Sequence, residues 1–418
     1  MDRKRIIPIF FIVFTNILGA GVILPILPLV AEDQFGATVF QATLLGAVYF
    51  AAQFLAAPWL GRLSDRIGRR PVLIVSQVGT VLSFILFSLA GPIGSMVDGA
   101  GVEMGISGGL FILYLARLLD GLTGGNITTA QAYITDVSTE KDRAQALGIL
   151  SAAFSVGFIF GPAFGGFLAE VSLVAPFIGA AVITSLSVVL TTVLLKESLP
   201  PEERGAVSRR EELPISHFLQ DHTILLILTI TFVVTLSFSA LQSTFALYAD
   251  RVLFPDAANK QEVARNVGLI LTGVGIVGVI TQAFLIKPLV QRFGERQVVI
   301  IGQVSLVIAF IGLSMASSPL VASLFIAPVA FGNGVNQPSL QSLITRFGGR
   351  QTRGRLLGIY QSANSLALIL GPVWAGYVFQ VVSPRAPYAL AAPLLTVAVG
   401  LSFWLRRRPI PSQVEVGG

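Results

Sequence analysis

The sequence predicts an all-α integral membrane protein, with twelve transmembrane helices in two pseudo-symmetric six-helix bundles. The first observation is composition: of 418 residues, 54% are hydrophobic and only 12% are charged, whereas soluble domains carry about 25% charged residues. The second is length, because twelve apolar runs are each long enough to cross a bilayer, which takes about 20 residues in a helix. The third is an internal repeat, in which the two halves share residues in the same order and spacing.

Six apolar runs precede a polar stretch of the chain, and six follow it. The first six lie near 6–30, 40–60, 72–89, 108–134, 144–168 and 175–195. The second six lie near 223–246, 267–289, 298–316, 320–344, 356–379 and 387–404. The stretch between them is charged and rich in proline, a composition typical of a connection. The predicted domains are an N-terminal six-helix bundle over 1–195, a cytoplasmic linker over 196–222, and a C-terminal six-helix bundle with a short cytoplasmic tail over 223–418.

Lysine and arginine are distributed unequally between the two sides of the predicted membrane. If the N-terminus is cytoplasmic, 23 of the 28 Lys and Arg residues lie on that side, four lie on the other, and Arg117 falls inside a run. The positive-inside rule then predicts that both termini are cytoplasmic. The same asymmetry explains the net charge of +6 without a nucleic-acid partner. We expect a multi-pass protein of the inner or plasma membrane that is monomeric.

Several kinds of chemistry are excluded by composition and motif. The chain has no cysteine and only two histidines, so neither a thiolate nor a His-rich metal site is expected. The ATP-binding pattern Gly-x4-Gly-Lys-[Ser/Thr] is absent, which disfavours ATP-driven pumping. No catalytic constellation is present, and we therefore expect no enzymatic activity and no cofactor.

The internal repeat is seen as matches at defined offsets. Residues 66–70, Arg-Ile-Gly-Arg-Arg, match residues 292–296, Arg-Phe-Gly-Glu-Arg, at an offset of 226. At an offset of 210, the second half repeats Gly124, Asn126, Gln131, Arg143, Gly148, Gly161, Pro162 and Gly166. Two six-span repeats in parallel orientation are an architecture of secondary transporters, whose substrate site lies near the membrane midplane between the repeats.

The loop after the second run carries a dense set of charges. Residues 61–70 read Gly-Arg-Leu-Ser-Asp-Arg-Ile-Gly-Arg-Arg. Gly61 is expected to let two helices approach closely, and Gly68 to permit a tight turn. The segment resembles the cytoplasmic signature of the major facilitator superfamily, G-x-x-x-D-R-x-G-R-R, which implies the major facilitator fold. The resemblance also implies a cytoplasmic gate formed by Gly61, Asp65, Arg66, Gly68, Arg69 and Arg70. The second-half copy has Gln291 in place of Asp65, which predicts a weaker latch there.

The fifth run carries glycines at regular spacing. Gly157, Gly161 and Gly165 are four residues apart, so they share one helical face on which a neighbouring helix can pack closely. The whole pattern resembles the motif of the antiporter branches of the superfamily, notably the twelve-span drug:proton antiporters. The residues of this motif are Gly148, Gly157, Gly161, Pro162, Gly165 and Gly166.

Arg117 and Asp120 are the only charges well inside an apolar run, and they lie three residues apart on one helix face. A charge at the bilayer centre costs roughly 2.5–3.5 kcal/mol, so the two are expected to pair. Their second-half equivalents are Ala327 and Ala330. In the superfamily an Arg at this place is linked to proton coupling, so the resemblance implies that Asp120 carries a proton and that Arg117 tunes its affinity. A static salt bridge is the alternative.

Polar side chains within the runs are candidates for lining a substrate pocket. In the first run Asn16 is followed by Gly19, Pro25 and Pro28, a pattern that resembles the tetracycline-exporting members, which commonly have Asp in place of Asn16. The full set of candidates is Asn16, Gln53, Asn126, Gln131, Gln242, Asn336, Gln341, Tyr360 and Asn364.

Together these features predict a secondary active transporter that works by alternating access. The resemblance implies proton-coupled efflux of small lipophilic compounds or drugs, with the proton gradient as the energy source. The expected partners are a small-molecule substrate, protons and the lipid bilayer. Alternatives are a lipid, sugar or metabolite carrier or uniporter of the same fold and, more remotely, a membrane receptor that transports nothing.

Overall fold

The structure is a computed structural model that describes residues 3–23, 25–99, 105–124, 126–138, 142–204, 218, 220–347 and 352–408. These residues are predominantly helical, and none of them lies in a β-strand. A helix satisfies its backbone hydrogen bonds within one segment, which is why long apolar runs adopt it in a membrane. The all-α prediction is confirmed for this part of the chain.

The first half forms nine helices in the described ranges. They are α1 (Arg3–Ile23), α2 (Leu27–Phe35), α3 (Val39–Ile67), α4 (Arg69–Ser88), α5 (Ala90–Gly99), α6 (Gly108–Thr123), α7 (Asn126–Val137), α8 (Arg143–Ala169) and α9 (Ala175–Leu194). Helices α1 and α2 together form the first candidate span, and α6 with α7 forms the fourth. A short 3₁₀ turn, Pro201–Glu203, follows α9.

Seven helices of the second half are described. They are α10 (His222–Tyr248), α11 (Lys260–Ile280), α12 (Ile286–Phe293), α13 (Glu295–Met315), α14 (Pro319–Thr345), α15 (Arg353–Val381) and α16 (Ala386–Arg407). One π-helical segment, Ala249–Leu253, continues α10, and another, Thr281–Leu285, joins α11 to α12.

Eleven helical stretches of the described chain are long and apolar enough to cross a membrane. The remaining predicted span is α8, whose described apolar part is Val156–Ala169. Its sequence therefore supplies the twelfth run, and the helices follow the predicted runs in order. This multi-pass helical architecture is the predicted fold class.

The chain divides into two compact units. The first consists of Met1–Ser208 with Phe245–Gly275, and the second consists of Arg209–Thr244 with Ile276–Gly418. The predicted domain boundary at 196–222 follows the helix repeat, and it stays a prediction. In the first unit α1 packs on α8 and α9, α3 on α6, and α4 on both α6 and α9. In the second unit α13 packs on α14 and α16.

Helix starts follow local capping chemistry. Thr38 begins α3 with a capping box, in which its hydroxyl accepts from the Gln41 amide at 3.2 Å and its own amide donates to Gln41 Oε1 at 2.8 Å. The Ser107 hydroxyl accepts from the Leu110 amide at the start of α6. Such caps satisfy amides that have no acceptor within the helix. Helices α3 and α6 pack on each other, and Arg117 of α6 lies against Tyr49 of α3.

Candidate functional site

Arg117 and Asp120 face each other on α6, as their spacing predicts. Arg117 Nη1 lies 3.4 Å from Asp120 Oδ2, and the two side chains are only 12% and 9% exposed. Thr80 of α4 also hydrogen-bonds to Asp120. Charge-assisted N–H···O contacts are usually about 2.7–2.9 Å long, so this contact is a long one. The pair is buried and loosely held.

Two aromatic rings enclose the Arg117 guanidinium. Its central carbon lies 5.4 Å from the ring centre of Tyr49 and 5.3 Å from that of Phe87, within the range of a cation–π contact. Arg117 Nε is buried and finds no hydrogen-bond partner among the described residues. The rings therefore stabilise the charge where polar partners are few.

The helix that carries the charged pair is interrupted one turn after Asp120. Helix α6 ends at Thr123, and α7 begins at Asn126. Gln53 of α3 reaches this interruption, since its Nε2 donates to Gly124 O at 3.0 Å and to Tyr49 Oη at 3.2 Å. At 1.5 Å per residue, Asp120 lies about 18 Å along the helix from Gly108, the first residue of a candidate span of 30 residues. Interrupted helices near the midplane commonly form the binding sites of transporters.

The motif loop between α3 and α4 forms a network that we call the first-half loop cluster: Ser64, Asp65, Arg69, Asp136 and Glu197. The Arg69 guanidinium donates to Ser64 at 2.6 Å, to Asp65 at 2.5 Å and to Asp136 at 3.0 Å. Glu197 accepts from the backbone amide of Arg69 at 2.9 Å. One arginine thus holds three acceptors from two helices.

The remaining motif residues have different environments. Gly68 has a φ of 104°, which favours glycine, so the predicted tight turn is confirmed. Arg70 donates to Thr192 O at 2.6 Å, and Arg66 is exposed. The close helix approach expected at Gly61 is wrong for this structure, because a Cβ built there meets no atom within 4 Å. Gly61 faces open space rather than a neighbouring helix.

The glycines of α8 form contacts with two different helices. A Cβ at Gly157, Gly161 or Gly165 would lie 3.0, 2.8 or 2.4 Å from an atom of α1. A Cβ at Gly166 would lie 3.1 Å from backbone atoms at the start of α11. These approaches need small residues, as the glycine spacing predicts. Gly148 lies within α8, but its surroundings fall outside the described part of the chain.

Three substrate-lining candidates in the second half already form hydrogen bonds within the protein. Asn364 accepts from the Thr235 hydroxyl at 2.7 Å. The Tyr360 hydroxyl donates to a backbone oxygen, that of Gln337, at 3.2 Å. The Asn336 amide nitrogen donates to a backbone oxygen one turn earlier in α14, while its Oδ1 is buried without a partner in the described chain.

The other candidates are dispersed. Asn16 is 9% exposed, and its Nδ2 has no partner within the described ranges. Gln131 and Gln341 are exposed, and Gln242 is half-buried. Asn126 begins α7, but its side chain lies outside the described part. Among the candidates whose side chains are described, Gln53 contacts the surroundings of the charged pair through Tyr49 and Gly124.

Three further ion pairs lie in the first unit, and two of them involve residues near the ends of α2 and α8. One of them joins Arg251 to Glu32, at the end of the first span. The other two have N–O distances of 2.6 Å and 3.2 Å and are Lys260–Asp250 and Arg265–Glu170. A cavity of about 620 Å³ lies beside Asp250 and Lys260. The Arg251–Glu32 and Arg265–Glu170 pairs tie the segment 250–265 to α2 and α8, whereas the Lys260–Asp250 pair lies within that segment.

Asp136 and Glu197 were missed, although the sequence carries a signal for them. Both are acids directly at the end of an apolar run, on the side where Lys and Arg predominate. An isolated acid among bases is a candidate for an ion pair or a helix cap. Tyr49 and Phe87 carry no such signal, because aromatic residues are common throughout the apolar runs.

Comparison with known proteins is consistent with this architecture. A family model described as the Major Facilitator Superfamily matches residues 9–261 and 252–418. The chain is 32% identical over 374 residues to the tetracycline resistance protein, class C, of Escherichia coli, and the alignment covers 89% of each chain. It is 30% identical over 417 residues to multidrug resistance protein 2 of Bacillus subtilis (strain 168), which covers 96% of each.

The fold is also similar to that of solved transporters. One is a bacterial homologue of the human lysosomal transporter Spinster, in an inward-facing and unoccupied conformation. The TM-score is 0.74 at 16% sequence identity, over 99% of this chain and 100% of that chain. The likeness concerns the fold alone, whereas the family match extends over nearly the whole sequence. The chain therefore belongs to the Major Facilitator Superfamily.

Proposed function

We propose that this protein is a proton-coupled exporter of small lipophilic compounds, working by alternating access in the plasma membrane as a monomer with both termini cytoplasmic. The names of its relatives, for tetracycline resistance and multidrug resistance, support a drug-like substrate. The charge distribution supports the orientation, with 23 of 28 Lys and Arg residues on the assigned cytoplasmic side. The proton gradient supplies the energy, and no cofactor takes part.

The observation that carries this proposal is the loosely paired Asp120 beside an interrupted helix. Its carboxylate is 9% exposed and 3.4 Å from Arg117. Burial favours the neutral form of a carboxyl group, whereas a neighbouring cation favours the charged form. A change in water access or in the distance to Arg117 therefore takes up or releases a proton. Asp120 carries the proton in this mechanism, and Arg117 tunes its affinity.

The substrate is coupled to this proton through α3 and α6. Gln53 and Tyr49 of α3 contact the end of α6 and the Arg117 guanidinium. A ligand that displaces either side chain alters the surroundings of Arg117 and thereby those of Asp120. We assign Gln53 and Asn16 as the first substrate-lining residues to test, because Asn16 is a buried amide with an unused donor among the described contacts.

The first-half loop cluster acts as the cytoplasmic gate in this proposal. Arg69 joins the end of α3, through Ser64 and Asp65, to α7, through Asp136. An exporter must open its cytoplasmic side to load substrate and close it before release. Opening and closing require two discrete arrangements of the gate. The charge-assisted contacts of the cluster are formed in one arrangement and broken in the other.

The test is proton movement across liposomes that contain the purified protein. A panel of lipophilic cations, neutral drugs and lysolipids is added, and internal pH is recorded for wild type and for Asp120→Asn. We expect at least one compound to trigger proton movement in the wild type. In Asp120→Asn that movement falls by about a hundredfold or more, because the side chain no longer exchanges a proton.

Asp256→Asn is the matched control, since Asp256 is an exposed carboxylate outside the helices. It should retain wild-type proton movement. Substrate-triggered proton flux that persists in Asp120→Asn would instead assign the pair as a static salt bridge. Substrate transport without proton movement in the wild type would favour a uniporter or metabolite carrier of the same fold.

A further inference from the structure

The start of α4 has no cap from its own sequence. Gly68 occupies the cap position and offers no side chain. The first amides of a helix lack intrahelical acceptors, and in α4 the third residue, Pro71, has no amide hydrogen. The Gly68 amide donates to Ser64 O at the end of α3, at 3.1 Å. Of the four amides without an intrahelical acceptor, those of Arg69 and Arg70 therefore need partners from elsewhere.

Glu197 supplies both partners from a distance of more than a hundred residues along the chain. Its Oε1 accepts from the Arg69 amide at 2.9 Å, and its Oε2 accepts from the Arg70 amide at 3.2 Å. Oε1 also accepts from the amides of Ser198 and Leu199, at 3.0 and 3.1 Å. A carboxylate at a helix N-terminus also interacts favourably with the helix dipole. The contact gives the amides of both Arg69 and Arg70 an acceptor.

The same approach explains why position 68 is glycine. A Cβ on Gly68 would lie 2.3 Å from Glu197 Oε2 and 2.7 Å from its Cδ. Position 68 must therefore combine a positive φ with room for the carboxylate. The requirement for glycine at position 68 of the motif therefore depends in part on Glu197, which lies well outside the motif.

The segment that begins the linker also reaches the other side of the loop cluster. The Ser198 hydroxyl donates to Asp136 Oδ2 at 3.0 Å, the same oxygen that accepts from Arg69 Nε. Tyr133 of α7 donates to the Lys196 carbonyl at 2.9 Å. Residues 196–198 thus hold both the backbone of Arg69 and the carboxylate that its side chain binds.

We propose that Glu197, assisted by Ser198, is a positioning residue of the cytoplasmic gate. It fixes the start of α4 so that the Arg69 guanidinium reaches Asp65 and Asp136 together. This inference rests on the proposed role of the loop cluster as the gate. Glu197 lies at the start of the predicted linker, so the connection between the two halves also aligns the gate.

The test combines hydrogen exchange with transport, using the full chain in lipid nanodiscs and in liposomes. In Glu197→Ala, exchange of the 66–72 segment should quicken by about tenfold, because two amides lose their acceptor. The segments that contain Asp65 and Asp136 should loosen with it, while 292–298 in the second half stays unchanged. The maximal transport rate should fall at unchanged KM, because Glu197 does not touch substrate.

Two further variants make the result decisive. Glu197→Gln keeps one acceptor oxygen and should give intermediate exchange and transport, a graded rescue that misfolding would not produce. Glu202→Ala removes an exposed carboxylate from the same stretch and should resemble wild type.

Unchanged exchange at 66–72 in Glu197→Ala would overturn the proposal. Faster exchange there with normal exchange around Asp65 and Asp136, or with a normal transport rate, would reduce Glu197 to a helix cap and overturn its positioning role. Exchange needs no substrate, so a wild type that transports nothing would count against the proposed function and leave this test in force.

Discussion

In each half, an ion pair joins the start of the third predicted span to the end of the fourth, but the acid and the base have exchanged positions. In the first half, Arg69 at the start of α4 pairs with Asp136 of α7 at 3.0 Å. In the second half, Glu295 at the start of α13 pairs with Arg346 after α14 at 2.8 Å. These positions are related by the offsets of 226 and 210 that relate the motifs. The repeat has therefore preserved the attachment between two helix ends, while the sign of each partner has reversed.

The surroundings of the two pairs differ much more than the pairs do. The last helix of each half begins with Ala-Pro, at Ala175-Pro176 and at Ala386-Pro387. In this alignment of the two halves, Arg408 is the sequence equivalent of Glu197. Arg408 lies over the Trp404 ring at 4.5 Å, rather than capping α13. A Cβ on Gly294 would meet nothing within 4 Å. The first loop is thus held by residues 196–198 as well as by its ion pair. Within the described residues, the second loop has no such carboxylate cap, and Arg296 Nη1 joins it to the last helix by donating to Arg406 O at 2.9 Å.

The largest expected difference between the loops comes from Gly68→Ala and Gly294→Ala. Both glycines have positive φ, at 104° and 77°, so either alanine costs about 1–3 kcal/mol of backbone strain. Gly68→Ala also displaces Glu197, which adds about 1 kcal/mol for the lost cap. We expect a lower midpoint of thermal unfolding and a slower transport rate for Gly68→Ala than for Gly294→Ala.

The control for this comparison is Gly68→Ala combined with Glu197→Ala. With the carboxylate gone, the added methyl has nothing to displace, so the two effects should be less than additive. Strict additivity, or equal losses for the two glycine variants, would contradict the assigned difference between the loops.

A smaller effect is expected from exchanging the charges of each ion pair. Arg69→Glu with Asp136→Arg gives the first half the polarity of the second, and Glu295→Arg with Arg346→Asp does the reverse. Each single change places like charges together and should reduce thermal stability and transport. The second-half double variant should recover most of that loss, because Gln291 beside it is neutral.

The first-half double variant should recover little, because the new glutamate would face Asp65 and the Glu197 carboxylate that caps the same residue. The readouts are the midpoint of thermal unfolding and the transport rate in liposomes. Equal recovery in both halves would show that Asp65 and Glu197 do not set the polarity of the first loop.

The smallest effect on stability is expected from Asp65→Asn. Its side chain is 50% exposed, so solvent screens its pair with Arg69, and the pair should contribute no more than about 1 kcal/mol. The unfolding midpoint should therefore stay near that of wild type. Gln291→Asp should be equally mild, because it places an exposed acid one turn from Glu295 rather than from a cation. A large loss of stability in either variant would contradict this expectation, because it would show that position 65 or 291 has a further interaction partner.

The sequence by itself determined the membrane class, the order of the helices and the positions of the charged motifs. Span length depends only on local hydropathy and bilayer thickness, and the Arg117–Asp120 pair follows from a spacing of three residues on one helix. The turn at Gly68 was predictable for the same local reason.

Only the tertiary structure decided which groups complete these sites. Glu197 reaches Arg69 across 128 residues, and Tyr49 and Phe87 meet Arg117 from two other helices. The open space at Gly61 and the interruption of the fourth span at Gly124 were equally hidden. Hydrogen bonds and ring contacts between distant segments depend on how helices pack, and periodicity within one helix carries no information about that packing.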